Sequence, residues 1–288
     1  MKNNLLNVCL LLLTLLFACT DDKKQENDSA DLESIPQIEL SEHLKMDSGE
    51  VRMFTMPTPL QIATTLKLLH VEYNDQLLLP KYDDIYKSKV ELALGLGAYV
   101  VDMGYTTVYN NYQKSINYGH DVQQIMEKLN ISHYINKSLV ERFQKNIDNQ
   151  DSLCQIILST YSEAHSYFNQ DEGLGLLILT GGYIEGLFLA TQNISNQKWV
   201  DESNNLIIQQ KLFLDNFILL LDGYSTNSKI KSVVVDLNQL KVSFDEIKIY
   251  SNPDKQGDYS LVQPISRVNL ENIKKQVAII RNKLLKEN

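Results

Sequence analysis

The chain has 288 residues, with 27 Lys and Arg against 36 Asp and Glu and a formal net charge of −9. That acidic balance argues against nucleic acid, and against anionic lipid headgroups, as partners recognised by charge. Its three cysteines, Cys9, Cys19 and Cys154, are too few for a disulfide framework or a cysteine zinc site.

Met1-Lys2-Asn3-Asn4 carries one basic side chain, and Leu5 to Ala18 is then apolar except for Asn7 and Thr14. As a helix this run covers about 21 Å, short of the roughly 30 Å hydrocarbon core, so it reads as a signal-peptide h-region and not as a span. It ends Leu16-Phe17-Ala18-Cys19, which resembles the lipobox of bacterial lipoproteins, although Phe17 is bulkier than the usual residue there. The resemblance implies that residues 1–18 leave as a lipoprotein signal peptide and that the Cys19 sulfur carries a diacylglycerol. Cleavage there removes one Lys and no acid, leaving a charge of −10. Two or three acyl chains hold a protein at a bilayer stably, where a single chain binds marginally. The expected membrane partner is therefore reached through covalent lipid at Cys19, with the body at the outer membrane, on its periplasmic face or at the cell surface.

Residues 19–53 are polar and charged and read as a flexible tether. A coil of that length reaches roughly 30–35 Å on average, so the body stands clear of the headgroups. Asp21-Asp22 resembles the acidic export signal of some surface lipoproteins, and Asp28-Ser29-Ala30 resembles a bacterial O-glycosylation site.

The body, residues 54–288, reads as a single mainly helical domain. Thr58 is a candidate N-cap with Pro59 at the first helical position, ahead of Ile62, Leu66, Leu69 and Tyr73 at helical spacing. Val90, Leu94, Gly97, Val101, Gly104 and Val108 mark a second helix, with Tyr105, Tyr109 and Tyr112 on a neighbouring stripe. Val122, Ile125, Met126 and Leu129 mark a short third helix, and Ser138 is placed to cap a fourth bearing Phe143 and Ile147. Asp151 starts a fifth with Leu153, Ile157, Tyr161, Ala164 and Phe168. Leu174, Ile178, Gly181, Glu185 and Phe188 define a glycine-rich helix, and Leu206 to Leu221 another, stopped at Asp222-Gly223. Ile230 to Ile247 continue the period. Lys248–Ser251 and Asp258–Val262, around Asn252-Pro253 and Gly257, have the pattern of a small hairpin, and Leu270, Ile273, Val277, Ile280 and Leu284 form a last helical seam. The expected fold is mainly α, an antiparallel helical bundle or array with one small β-hairpin near the C-terminus.

One internal similarity stands out. Leu94-Gly95-Leu96-Gly97-Ala98-Tyr99-Val100 resembles Ile178-Leu179-Thr180-Gly181-Gly182-Tyr183-Ile184 at an offset of 84 residues. Each helical glycine costs about 1 kcal/mol relative to alanine. Close approach of two helices through their glycine faces offsets that cost; a groove left open for a ligand is the alternative.

The body as a whole resembles a family of uncharacterised Gram-negative bacterial lipoproteins. The strings that carry this are Pro57-Thr58-Pro59, Tyr73-Asn74 with Leu78-Leu79-Pro80, Leu92 to Tyr99 with Asp102 and Gly104-Tyr105, Asp151-Ser152-Leu153, Tyr167, and Gly181-Gly182-Tyr183-Ile184-Glu185-Gly186-Leu187. The resemblance implies a lipoprotein address and a helical fold, and it brings no reaction and no catalytic residues.

For chemistry, the glycines at 95 and 97 lie inside an apolar helix and form no nucleotide loop, and neither a Gly-x-Ser-x-Gly elbow nor a His-Glu-x-x-His pair occurs. Asp102 and Glu185 are acids in otherwise apolar helices, so each must be paired, hydrogen-bonded or protonated if it faces the core. Tyr99, Tyr105 and Tyr183 bring hydroxyls nearby in sequence. Glu163 with His165, and His70 with Glu72, lack the spacing of three or four that ligands on one helix face need, so no metal and no other cofactor is expected. Fifteen tyrosines against one tryptophan set Tyr105, Tyr109 and Tyr112 apart: core packing with hydroxyls at the rim is the ordinary reading, and a candidate surface for a protein, peptide or glycan the sharper one. The expected role is binding or assembly, with no nucleic-acid partner; the alternative is an envelope hydrolase or metal-dependent enzyme that uses Asp102 and Glu185.

Overall fold

The computed structural model describes residues 38–39, 55–56, 58, 60–132, 139–168, 172–194, 201–224, 228–251, 259–263 and 265–285. The leader, Cys19, Ser29, Pro57, Pro59, Ser138 and the turn of the C-terminal hairpin lie outside them. Ser34–Asn288 form one compact unit.

Nine α-helices occur among the described residues: α1 (Gln61–Leu68), α2 (Lys89–Val108), α3 (Tyr112–Leu129), α4 (Leu139–Lys145), α5 (Gln150–Phe168), α6 (Glu172–Ile194), α7 (Asp201–Asp222), α8 (Ser228–Asp245) and α9 (Arg267–Leu285). The fold is mainly α, as the apolar periodicity requires. The hairpin near the C-terminus is present, β3 (Ile249–Ser251) pairing antiparallel with β4 (Tyr259–Leu261) and Ile249 opposite Leu261. A second short ladder, β1 (Ile38–Glu39) with β2 (Thr55–Met56), falls partly within the segment expected to be a featureless tether. The local alternation Ile38-Glu39-Leu40 supplies a strand pattern there.

Helix ends differ from the apolar pattern where the backbone turns left-handed at residues other than glycine. His70, Asn110 and Asn130 have φ of 55°, 61° and 60°. In each case the next amide reaches back five residues, Val71 to Leu66, Asn111 to Thr106 and Ile131 to Met126. That is the Schellman closure, which satisfies the terminal carbonyls and stops the helix. Consequently α1 ends at Leu68 and Tyr73 is not helical, although Thr58 Oγ1 does accept the Gln61 amide at 3.2 Å. The third helix is long, not short. Its first half hides its inner face behind Ser115, Tyr118 and Gly119, which are buried but carry little apolar signal. Ser88 opens α2 with a capping box, its hydroxyl and backbone both engaged by Glu91.

The centre of the molecule is the α2–α6 pair. A Cβ on Gly97 would lie 1.9 Å from the Ile178 carbonyl oxygen, and one on Gly181 would lie 1.8 Å from that of Leu94. The two backbones touch. Leu94 and Ile178, like Gly97 and Gly181, are equivalent positions of the 84-residue similarity, so the contact is reciprocal, each glycine seated against the other copy's leucine or isoleucine carbonyl. Contacts advance together along both chains, from Leu94 with Gly181 to Val101 with Gly182, so this pair runs parallel. The sequence neighbours α7 and α8 run antiparallel, Lys211 meeting Asp245 and Lys241 meeting Asp215. Gly173–Asn193 of α6 is long and apolar enough to cross a membrane, yet 83% of that window is buried inside the protein. It is the core helix. Cys154 is half-buried on α5, where burial pushes its thiol up.

A candidate ligand cleft above a buried acid pair

Between α1 and α2 the chain runs without a regular α-helix from Leu69 to Ser88, a length rare in compact domains unless it carries a role. Val71, Leu78, Leu79, Tyr82 and Tyr86 of this segment are buried against the bundle, so the backbone polar groups beside them need partners there. Side chains supply them. Tyr109 Oη donates to Val71 O at 2.8 Å, Tyr105 Oη accepts the Asn74 amide at 3.1 Å, and Tyr99 Oη donates to Pro80 O at 2.8 Å. From α3, Tyr118 Oη donates to Leu79 O at 2.7 Å, Asp121 Oδ2 accepts the Tyr82 amide at 3.3 Å, and Lys114 pairs with Asp75 at 3.2 Å. The three α3 contacts share one offset of 39 residues, so residues 75–82 run alongside that helix in register. Rings fill the space beneath: Tyr82 stacks on Tyr86 at 5.7 Å, and Tyr99 meets Tyr82 edge-on at 6.1 Å.

This use of tyrosine is core packing with engaged hydroxyls, and it corrects the surface-stripe alternative. Tyr105 is fully buried, stacked on Tyr73 at 5.4 Å and against Tyr109 at 4.8 Å. Tyr109 is half-buried with its hydroxyl engaged by Val71, and Tyr112 lies beyond the Asn110 turn, on α3, donating to Asn110 Oδ1 at 3.0 Å. The three do not form one exposed helical face, because α2 ends before the third. Desolvation pushes the Tyr73 phenol up to about 12, partly countered by a hydrogen bond with Asn111.

Asp102 and Glu185 are both buried, as expected of a polar pair in the core. Their partners are not the tyrosines near them in sequence, since Tyr183 Oη donates to Gln210 O at 3.1 Å. The partner is Arg281 on α9, itself 1% exposed. Its Nε donates to Glu185 Oε2 at 2.7 Å and its Nη2 to Glu185 Oε1 at 2.9 Å and to Leu77 O at 3.1 Å, with the guanidinium 4.1 Å above the Phe188 ring. Asp102 Oδ2 accepts the Leu79 amide at 2.8 Å. Burial, then the adjacent Glu185 charge, lifts the Asp102 carboxyl well above the usual range, against the pull of Leu79 and Arg281. Arg281 could have been suspected from sequence, because it interrupts the Val277–Leu284 seam, a basic residue on an otherwise apolar face. Among the described residues no three His, Cys, Asp or Glu side chains gather around one point.

Outside this layer lies a cleft of about 550 Å³ between residues 75–81 and α3. Leu78, Leu79, Pro80 and Tyr118 form its apolar floor; Asn117, His120 and Gln124 stand on the α3 side; Lys81, Lys114, Asp75 and Asp121 balance charge around it. Burial pushes the Asp121 carboxyl up, and the Tyr82 amide, Lys81 and His120 oppose that shift. Neither this cleft nor the one of about 430 Å³ between α8 and α9 is lined by Asp102 or Glu185.

No family model, curated protein or solved structure matches this chain. A cleft of this size, with an apolar floor and a few amide and charged groups above it, suits a small polar ligand. The sealed acids beneath it hold the wall in place; their oxygens face protein and not the cleft. Sequence reasoning missed the cleft because its two walls come from a segment with no periodicity and from the polar face of a helix.

Proposed function

We propose that this chain is a lipid-anchored protein of the Gram-negative envelope that binds a small polar ligand, a short peptide or oligosaccharide, in the cleft between residues 75–81 and α3. The observation that carries the binding reading is the cleft itself: about 550 Å³, charge-balanced, walled by amides and backed by a rigidly tied segment. The anchor is supported by the apolar run ending at Cys19 and the abrupt polar sequence after it. The hydrolase alternative needs acids that reach a substrate, and Asp102 and Glu185 are sealed at 0% exposure.

Two measurements test this. Thermal-shift titration with short peptides and with soluble peptidoglycan oligosaccharides is expected to raise Tm for one class, and the rise is expected to vanish in Asn117→Trp, which fills the cleft from an exposed position. A shift that survives Asn117→Trp, or none with either class, contradicts the binding site. Intact mass of the membrane-extracted protein is expected to show an acylated N-terminal Cys19; an unmodified thiol there refutes the anchor.

A further inference from the structure

We infer that Asp102 is a buried carboxylic acid whose proton latches the wall of this cleft, so that losing the proton loosens residues 77–82. The cluster has two carboxyls and one guanidinium, all at most 1% exposed. With both acids ionised it would bury a net negative charge, and the low-dielectric interior opposes that. One proton brings the count to zero. Geometry says which acid holds it. Both Glu185 oxygens accept from Arg281, the arrangement of a carboxylate. Asp102 Oδ2 accepts the Leu79 amide, while its Oδ1 is buried and meets no donor among the described residues. Glu185 nevertheless lies within hydrogen-bonding range of Asp102, an approach that two carboxyl groups make only with a proton between them. An Oδ1–H that donates to the Glu185 carboxylate satisfies every group.

The latch follows from what the three residues also hold. Asp102 takes the Leu79 amide and Arg281 takes the Leu77 carbonyl, and Leu79 forms part of the cleft floor. If Asp102 ionises, it faces a second carboxylate and competes for Arg281. Helices α2 and α6 are locked by backbone contact at Gly97 and Gly181 and do not separate to relieve the repulsion. The Arg281–Leu77 bond and the Leu79 side of the segment are what yields. Among the described residues, the other titratable groups facing the pair are phenols: Tyr118 from α3, Tyr99 and Tyr105 from α2, and Tyr73 from the segment. Burial raises all four, so they stay neutral while Asp102 titrates.

The inference concerns the wall of the proposed cleft, and its test uses no ligand, so it fails separately from the binding reading. Urea unfolding of the purified protein between pH 5 and 9 is compared with Asp102→Asn, whose amide still donates to Glu185 and accepts from Leu79. A folded state holding one proton that the unfolded state releases loses tenfold in its folding equilibrium constant per pH unit, up to the folded pKa of Asp102. Wild type is expected to show this extra tenfold-per-unit decline and Asp102→Asn to lack it. The amides of Leu79 and Tyr82 are expected to lose hydrogen-exchange protection over the same range in wild type only. If Asp102→Asn does not fold, the carboxyl 13C shift of Asp102 in wild type decides the question: a protonated shift at pH 7 supports the latch. Equal pH slopes in the two proteins, or a carboxylate shift at pH 6, overturn it.

Discussion

Replacing Gly97 by alanine tests whether α2 and α6 touch through their backbones. An alanine Cβ would sit 1.9 Å from the Ile178 oxygen and 2.6 Å from the Gly182 nitrogen, whereas ordinary contact begins near 3.4 Å. The helices must therefore part by about 1.5 Å, and both obstacles are backbone atoms that no rotamer change removes. A radial gap of even 0.5–1 Å forfeits about a quarter to a half of a dispersion well. The buried side chains at the crossing, Leu94, Val101 and Ile178, are worth about 2 kcal/mol each. Losing half of that costs about 3 kcal/mol, and alanine's helix preference returns about 1 kcal/mol. A net loss of about 2 kcal/mol is expected from urea unfolding, and Gly181→Ala should match it by the reciprocity of the contact. Gly119 is the control. It is also buried in a helix, but its Cβ would meet only Met103 at 3.6 Å and Val140 at 3.8 Å. Gly119→Ala should stabilise by up to about 1 kcal/mol. Equal effects at positions 97 and 119 would refute the reasoning.

Other consequences are open to similar measurement. Arg281→Met leaves the Glu185 charge buried without its partner and should destabilise by about 3–5 kcal/mol, with much of that recovered in the Arg281→Met, Glu185→Gln double variant; independent, additive effects in denaturant unfolding would contradict the ion pair. Tyr118→Phe strips the donor from the Leu79 carbonyl and should cost about 1–3 kcal/mol, with faster amide exchange confined to residues 77–82; exchange that rises uniformly across the molecule would show that the hydroxyl does not hold that segment. Lys211 and Lys241 hold the Asp245 carboxyl below the usual range. A carboxylate depressed in the folded state stabilises above its unfolded pKa and loses that contribution as pH falls through the folded one. The α7–α8 contact should therefore weaken below about pH 4, and Asp245→Asn should flatten this acid limb. The effect will be small, because Asp245 is about half exposed. Unchanged acid sensitivity in Asp245→Asn would assign the limb to other groups.

What the sequence disclosed and what it hid follow from the range of each interaction. The apolar faces of most helices were legible, since burial imposes a local period, and so was the hairpin. The 84-residue similarity pointed at the glycine crossing, and the structure places those very positions, Gly97 and Gly181, against each other's helices. Asp102 and Glu185 were legible as buried acids because they interrupt apolar runs. Their partner was not, because Arg281 lies 96 residues beyond Glu185 and only the tertiary fold brings α9 alongside α6. Helix ends at His70, Asn110 and Asn130 were missed because a left-handed residue other than glycine leaves a weak trace in sequence. The tyrosines were ambiguous for a related reason. Their amphipathic character fits a recognition surface and equally fits a ring buried in the core with its hydroxyl tying down an irregular backbone, and Tyr99, Tyr105, Tyr109 and Tyr118 do the latter.

The most direct test of the whole functional account is site-specific photo-crosslinking in intact cells. A photoreactive residue at Asn117, in the cleft, is compared with one at Val235, an exposed apolar position on α8. The account predicts adducts from position 117 and none from 235, on a protein that partitions with detergent until Cys19 is replaced by serine. Adducts from 235 alone, or partitioning that ignores Cys19→Ser, would contradict it.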